Sequence, residues 1–82
     1  MGEGLDIGEA IQEMRLGMKV ARKGWNGKGM WLQFVPGGLA LIHGGKEPIA
    51  MLPYIVMKTV SDQFVPWLCS QTDLLAQDWE RV

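Results

Sequence analysis

Two stretches of this sequence concentrate side chains able to hold a planar, polar, anionic molecule. The first is Arg22-Lys23-Gly24-Trp25-Asn26-Gly27-Lys28-Gly29. Arg22 presents a planar fork of donors that matches a phosphate bidentately. Trp25 offers a face on which a base can stack. Asn26 can read polar base or ribose atoms, and the glycines let backbone approach a ligand closely. The same residues also suit a basic hairpin whose Trp25 closes the core. The stretch is no Walker loop, because the Gly-Lys-Ser/Thr ending and its helix are absent. The second stretch is Pro66-Trp67-Leu68-Cys69-Ser70-Gln71-Thr72-Asp73. Gln71, Thr72 and an expected helix start present several hydrogen-bonding groups, and free amides there favour an anion. The alternative is a capped helix with Trp67 as core filler.

Residue types that carry catalysis are sparse. His43 is the single histidine and sits in an expected turn. Cys69 is the single cysteine. It has no base near it in sequence and reads as a small buried thiol. Asp73 and Asp78 make a conceivable carboxylate pair, but Asp73 is better explained as favourable charge at a helix N-terminus. No metal-ligand set and no cofactor motif is present. The chain reads as a binding protein and not as an enzyme.

The elements that position these residues follow from composition and pattern. The 82 residues are 48% hydrophobic and 21% charged, a globular balance, and are expected to form one domain over 1–82. A chain this short buries only ~60–65% of the surface it exposes when unfolded. A ligand pocket is therefore easier to build between copies than inside one copy. No stretch approaches the ~20 apolar residues of a membrane span. The start has no basic region leading into an apolar core, and one cysteine forms no internal disulfide. Cytoplasmic residence is expected. Net charge is −1, which argues against a general DNA- or RNA-binding surface. The charges are sorted, however. Arg15, Lys19, Arg22, Lys23, Lys28 and Lys46 run without an intervening acid, whereas Asp62, Asp73, Asp78 and Glu80 cluster late. The early run is a solvated strand face or a local positive field for a small anion.

Asp6 and Glu9 have capping-box spacing, and Ile7, Ala10, Ile11 and Met14 recur on one helical face. A helix over 7–16, stopped by Gly17, follows. Short strands are expected at 18–22, 30–35 and 39–42, the first two joined by the hairpin signal Asn26-Gly27. Residues 44–53 read as a loop with apolar anchors. Further strands are expected at 54–58 and 63–65, after which Pro66 interrupts. Thr72 is the expected cap of a short helix from Asp73 through Leu74, Leu75 and Ala76, and 79–82 returns as an edge strand. The expected fold is α+β: a twisted antiparallel sheet packed against one N-terminal helix, with a short C-terminal helix.

The block Val20 to Met30, followed near the end by Val65-Pro66-Trp67-Leu68, Ser70 to Ala76 and Asp78-Trp79, resembles the phage-encoded Thoeris anti-defence proteins of the second type. The resemblance spans about residues 5–82. It implies a sponge that captures a glyco-cyclic ADP-ribose immune signal without cleaving it, so that the Thoeris effector stays inactive. It further implies a homotetramer with ligand pockets between protomers. Some members also bind cyclic oligonucleotide signals at separate sites. The positions it carries over as ligand-binding are Arg22, Trp25, Asn26, Trp67, Gln71, Thr72 and Asp73. The family's middle region varies, and here Gly37 to Pro53 is short and glycine-rich, so the resemblance does not carry over an exact ligand preference.

Overall fold

A computed structural model describes residues 4–25, 29–41 and 44–82. The expected Asn26-Gly27 turn, Asn26 as a site residue and His43 lie outside the described residues.

The first helix, α1 (Ile7–Arg15), forms where its caps dictate. Asp6 Oδ1 accepts the Glu9 amide at 2.8 Å, and Glu9 Oε1 accepts the Asp6 amide at 3.0 Å. Leu16 closes the helix, and Gly17 follows with φ +93°, a conformation that favours glycine. Ala10 and Met14 face inward and are fully buried.

The helix packs on a five-stranded antiparallel sheet of β1 (Val20–Arg22), β2 (Trp31–Val35), β5 (Tyr54–Lys58), β6 (Phe64–Pro66) and β7 (Trp79–Arg81), in the order β6-β5-β2-β1-β7. Between β2 and β5 the chain leaves the sheet as a separate two-stranded arm, β3 (Gly38–Ala40) and β4 (Ile49–Met51). Val35 pairs with Tyr54 at the arm's base. The α+β architecture is as expected, but the sheet is split in two.

Several local expectations are corrected. Residues 49–51 are not loop: Leu39 pairs with Ala50 and Ala40 with Ile49. Pairing, not propensity, makes this strand. Pro66 does not interrupt β6 but belongs to it, opposite Val56. An edge strand tolerates a residue with no N–H to donate. The second helix, α2, runs from Gln71 to Leu74, and Ser70 caps it in place of Thr72. Ser70 has extended backbone, and its hydroxyl accepts the Asp73 amide at 3.1 Å. The expected C-terminal edge strand is present as β7.

The core is small. Ala10, Met14, Val20, Leu32 and Trp79 form its centre, with Trp25, Phe34, Ile55 and Trp67 packed against it. The arm takes no part in it: Leu39 is 75% exposed and Leu52 83%. The radius of gyration is 14.2 Å, against roughly 12 Å for a compact chain of this length.

Candidate ligand-binding site

The pairing of β7 with β1 builds the site. Trp79 lies opposite Arg22 across the two strands, so residues from both motif blocks meet. Arg22 sits at the end of β1 with its side chain 18% exposed. Its Nε donates to Asp78 Oδ1 at 2.7 Å, and its Nη1 donates to Asp73 Oδ1 at 2.9 Å. The Trp25 indole N–H donates to the same Asp73 oxygen at 3.1 Å. Asp78 Oδ2 accepts the Gly24 amide at 2.8 Å. One hydrogen-bonded group thus joins the glycine loop, α2 and the approach to β7.

Two carboxylates face one guanidinium, so the positive field expected at Arg22 is compensated on the spot. Asp78 holds the Arg22 pKa up, with Asp73 adding to it. In return, the hydrogen bond from Arg22 holds Asp78 below the usual carboxylate range, and the Gly24 amide adds to this against the opposing effect of burial. Arg22 keeps donor hydrogens on its terminal nitrogens, because each carries two.

The tryptophans form a relay. Trp25 meets the buried Trp79 edge-on at 5.4 Å between ring centroids, and Trp67 meets it from elsewhere at 5.9 Å. Such edge-to-face pairs add about 0.5–1.5 kcal/mol beyond area burial. The Trp79 indole N–H is satisfied by the Asp73 carbonyl at 3.1 Å. Trp67 also borders an open groove of about 440 Å³ between α1 and the sheet, lined with Ile11, Arg15, Phe34 and Ile55. That volume falls within the ~300–1,000 Å³ of small-molecule sites. Arg15 stands over the Phe34 ring at 5.7 Å.

Of the expected site residues, Arg22, Trp25 and Asp73 share one network, and Trp67 joins them through Trp79. Gln71 and Thr72 lie exposed on α2 beside Asp73. Asp78 and Trp79 hold the cluster together, although neither is among the ligand-binding positions the resemblance carries over. For Asp78 the signal in the sequence is the late acidic cluster set against the early basic run, and for both it is the Asp78-Trp79 motif. Cys69 lines the groove, and burial pushes its thiol up, away from the thiolate a nucleophile needs. Among the described residues, no three His, Cys, Asp or Glu side chains gather as metal ligands. No helix there is long and apolar enough to cross a membrane.

The fold and the site define a small α+β domain whose polar and aromatic cluster is assembled from both ends of the chain. Residues 5–82 match the Thoeris anti-defense 2-like domain. The chain is also 37% identical over 86 residues to "Thoeris anti-defense 2" of Bacillus phage SP01, covering 95% of this chain and 94% of that protein. It belongs to the Thoeris anti-defense 2-like family, and that membership supports an anti-defence role.

Proposed function

We propose that this protein is a sponge. It binds a cyclic ADP-ribose-type immune signal, holds it without cleavage and so keeps the Thoeris effector from being activated. The match over residues 5–82 to an anti-defence family carries this reading. The site chemistry supports it. A cyclic ADP-ribose isomer offers a purine face, riboses and a pyrophosphate. Tryptophans held in place by Asp73 and Trp79 present ring surface at little further cost in side-chain entropy. Arg22 contributes its remaining donors, and Gln71, Thr72 and Asp73 offer polar groups beside it. Asn26 completes the proposed contacts.

The decisive experiment follows the ligand's fate. A glyco-cyclic ADP-ribose incubated with the protein should vanish from the filtrate. Heating should then return the same molecule in full yield, as chromatography reports, because tight binding without transition-state stabilisation leaves a ligand unchanged. Cleaved product above a protein-free control would make the protein an enzyme. A free signal that never falls would leave a structural or interaction module. In folded protein, Trp25→Ala and Trp67→Ala should each weaken binding. Stacking on one base is worth about 1–3 kcal/mol, or ~5- to 150-fold in affinity.

The proposed assembly is a homotetramer. Leu39, Leu41, Ile49 and Leu52 are exposed on or beside the arm, an apolar surface of the kind that marks an interaction site. Light scattering should give four times the 9.1 kDa of one chain. Leu39→Glu combined with Leu52→Glu should lower that mass and leave the main sheet folded. A parent mass of one chain would end the assembly reading.

A further inference from the structure

Asp78 stands between the two motif blocks with its backbone held from several sides. Its carbonyl accepts the Lys23 amide at 3.0 Å, and the next residue, Trp79, exchanges two backbone bonds with Leu5 at 2.8 and 3.1 Å. Gly4 packs so closely that a Cβ there would lie 2.1 Å from the Gln77 carbonyl oxygen and 2.6 Å from Asp78 Cα. From this fixed backbone the carboxylate reaches Trp25 by two routes. One runs through the Gly24 amide at 2.8 Å, the residue next to Trp25. The other runs from Arg22 Nε at 2.7 Å, across the guanidinium to Asp73 Oδ1 at 2.9 Å, and on to the Trp25 indole N–H at 3.1 Å. Gly24 permits the first route. A Cβ there would stand 2.9 Å from Asp78 Oδ2 and 3.3 Å from Arg22 Nη2.

We propose that Asp78 is a positioning residue: it sets the orientation in which Trp25 is presented to ligand, and does not touch the ligand itself. The ligand half of this inference rests on the sponge reading; the orientation of Trp25 does not. The side-chain bonds traced from this carboxylate end on the Trp25 indole N–H, whereas the Trp79 indole is held by the Asp73 backbone carbonyl and not by its carboxylate.

The test uses the full chain with isotope-labelled indole N–H groups, the Trp25 resonance being assigned by its loss in Trp25→Phe. Asp78→Asn keeps the side chain's size but removes its charge and one acceptor oxygen. It should move the Trp25 resonance. It should also weaken binding of cyclic ADP-ribose by about tenfold, the scale of one lost hydrogen bond to a charged group. In the Trp25→Phe background the same substitution should cost under about twofold, because the two changes act on one route. Asp62→Asn, which breaks the Lys58–Asp62 pair at 2.7 Å, should leave the Trp25 resonance in place. Should Asp78→Asn fail to fold, Gly24→Ala displaces the loop amide from the carboxylate and should move the same resonance. An unmoved resonance in folded Asp78→Asn overturns the proposal, as does an equal loss of affinity in both backgrounds. If the parent protein binds no cyclic nucleotide, the sponge reading falls, and the resonance alone decides the role of Asp78.

Discussion

Trp79→Ala is expected to lower the melting temperature by at least ~12 °C and to dissolve the site with the core. Trp79 is fully buried at the centre of the core. Truncating a buried tryptophan to alanine costs about 3–5 kcal/mol. A domain of this length is stable by roughly 4–12 kcal/mol at ~0.05–0.15 kcal/mol per residue, so the loss is a large share of the whole. Each kcal/mol shifts the midpoint by about 4–8 °C at this size. The same change removes the ring that Trp25 and Trp67 both touch and leaves the Asp73 carbonyl without the indole N–H. Trp79→Phe keeps much of the apolar volume but loses the donor and part of the ring volume, so its cost should be smaller than that of alanine. Thermal melts at matched protein concentration, which controls for self-association, check both variants. An alanine variant melting within a few degrees of the parent would show that this tryptophan does not hold the core.

Arg22→Ala should destabilise the protein most near neutral pH and least in acid. The substitution leaves Asp73 and Asp78, with side chains 15% and 32% exposed, facing one another without their shared cation. Removing one member of a fully buried pair costs about 3–5 kcal/mol; partial exposure brings the expectation here to about 2–3 kcal/mol. The sign of the pH dependence follows from Asp78. In the parent its folded pKa is depressed, chiefly by Arg22. That stabilisation is present above the unfolded value of about 3.9 and is lost as pH falls through the folded one. The variant lacks that contribution at every pH. The melting curves of parent and variant should therefore keep their gap from pH 7 to about 4 and converge as pH falls further and Asp78 is protonated in the parent. A gap that stays constant below about pH 4 would show that Asp78 does not respond to the guanidinium.

Elements specified by neighbours in sequence were legible without the structure. The capping pair of Asp6 and Glu9, the apolar spacing of Ile7, Ala10, Ile11 and Met14, and the stop at Gly17 placed α1 within a residue of its observed end. All of these act over three to four positions. The strand expected at 30–35 from the Asn26-Gly27 signal falls on β2, and the alternation of 54–58 falls on β5, again from signals local to the chain. Trp25 and Trp67 are conspicuous by residue type, but residue type alone leaves core and ligand roles open, and the family resemblance is what marks them and Asp73 as candidate ligand contacts.

Tertiary structure decided whatever depends on distant partners. Ile49 to Met51 has no strong strand pattern of its own and becomes a strand by pairing with Gly38 to Ala40. Ser70 and Thr72 are both competent caps in sequence. Ser70 has the extended backbone and hydroxyl position that place Asp73 at the third helical residue, where its carboxylate meets Arg22 and Trp25. Arg22 read as a free cation for phosphate because its acidic partners lie 51 and 56 positions away. Only the antiparallel pairing of β1 with β7 brings them within hydrogen-bond reach. Residue type can set what a side chain is able to bind. Which groups reach it first is a matter of chain topology, because hydrogen bonds and ion pairs act over a few ångströms and take no account of separation along the chain.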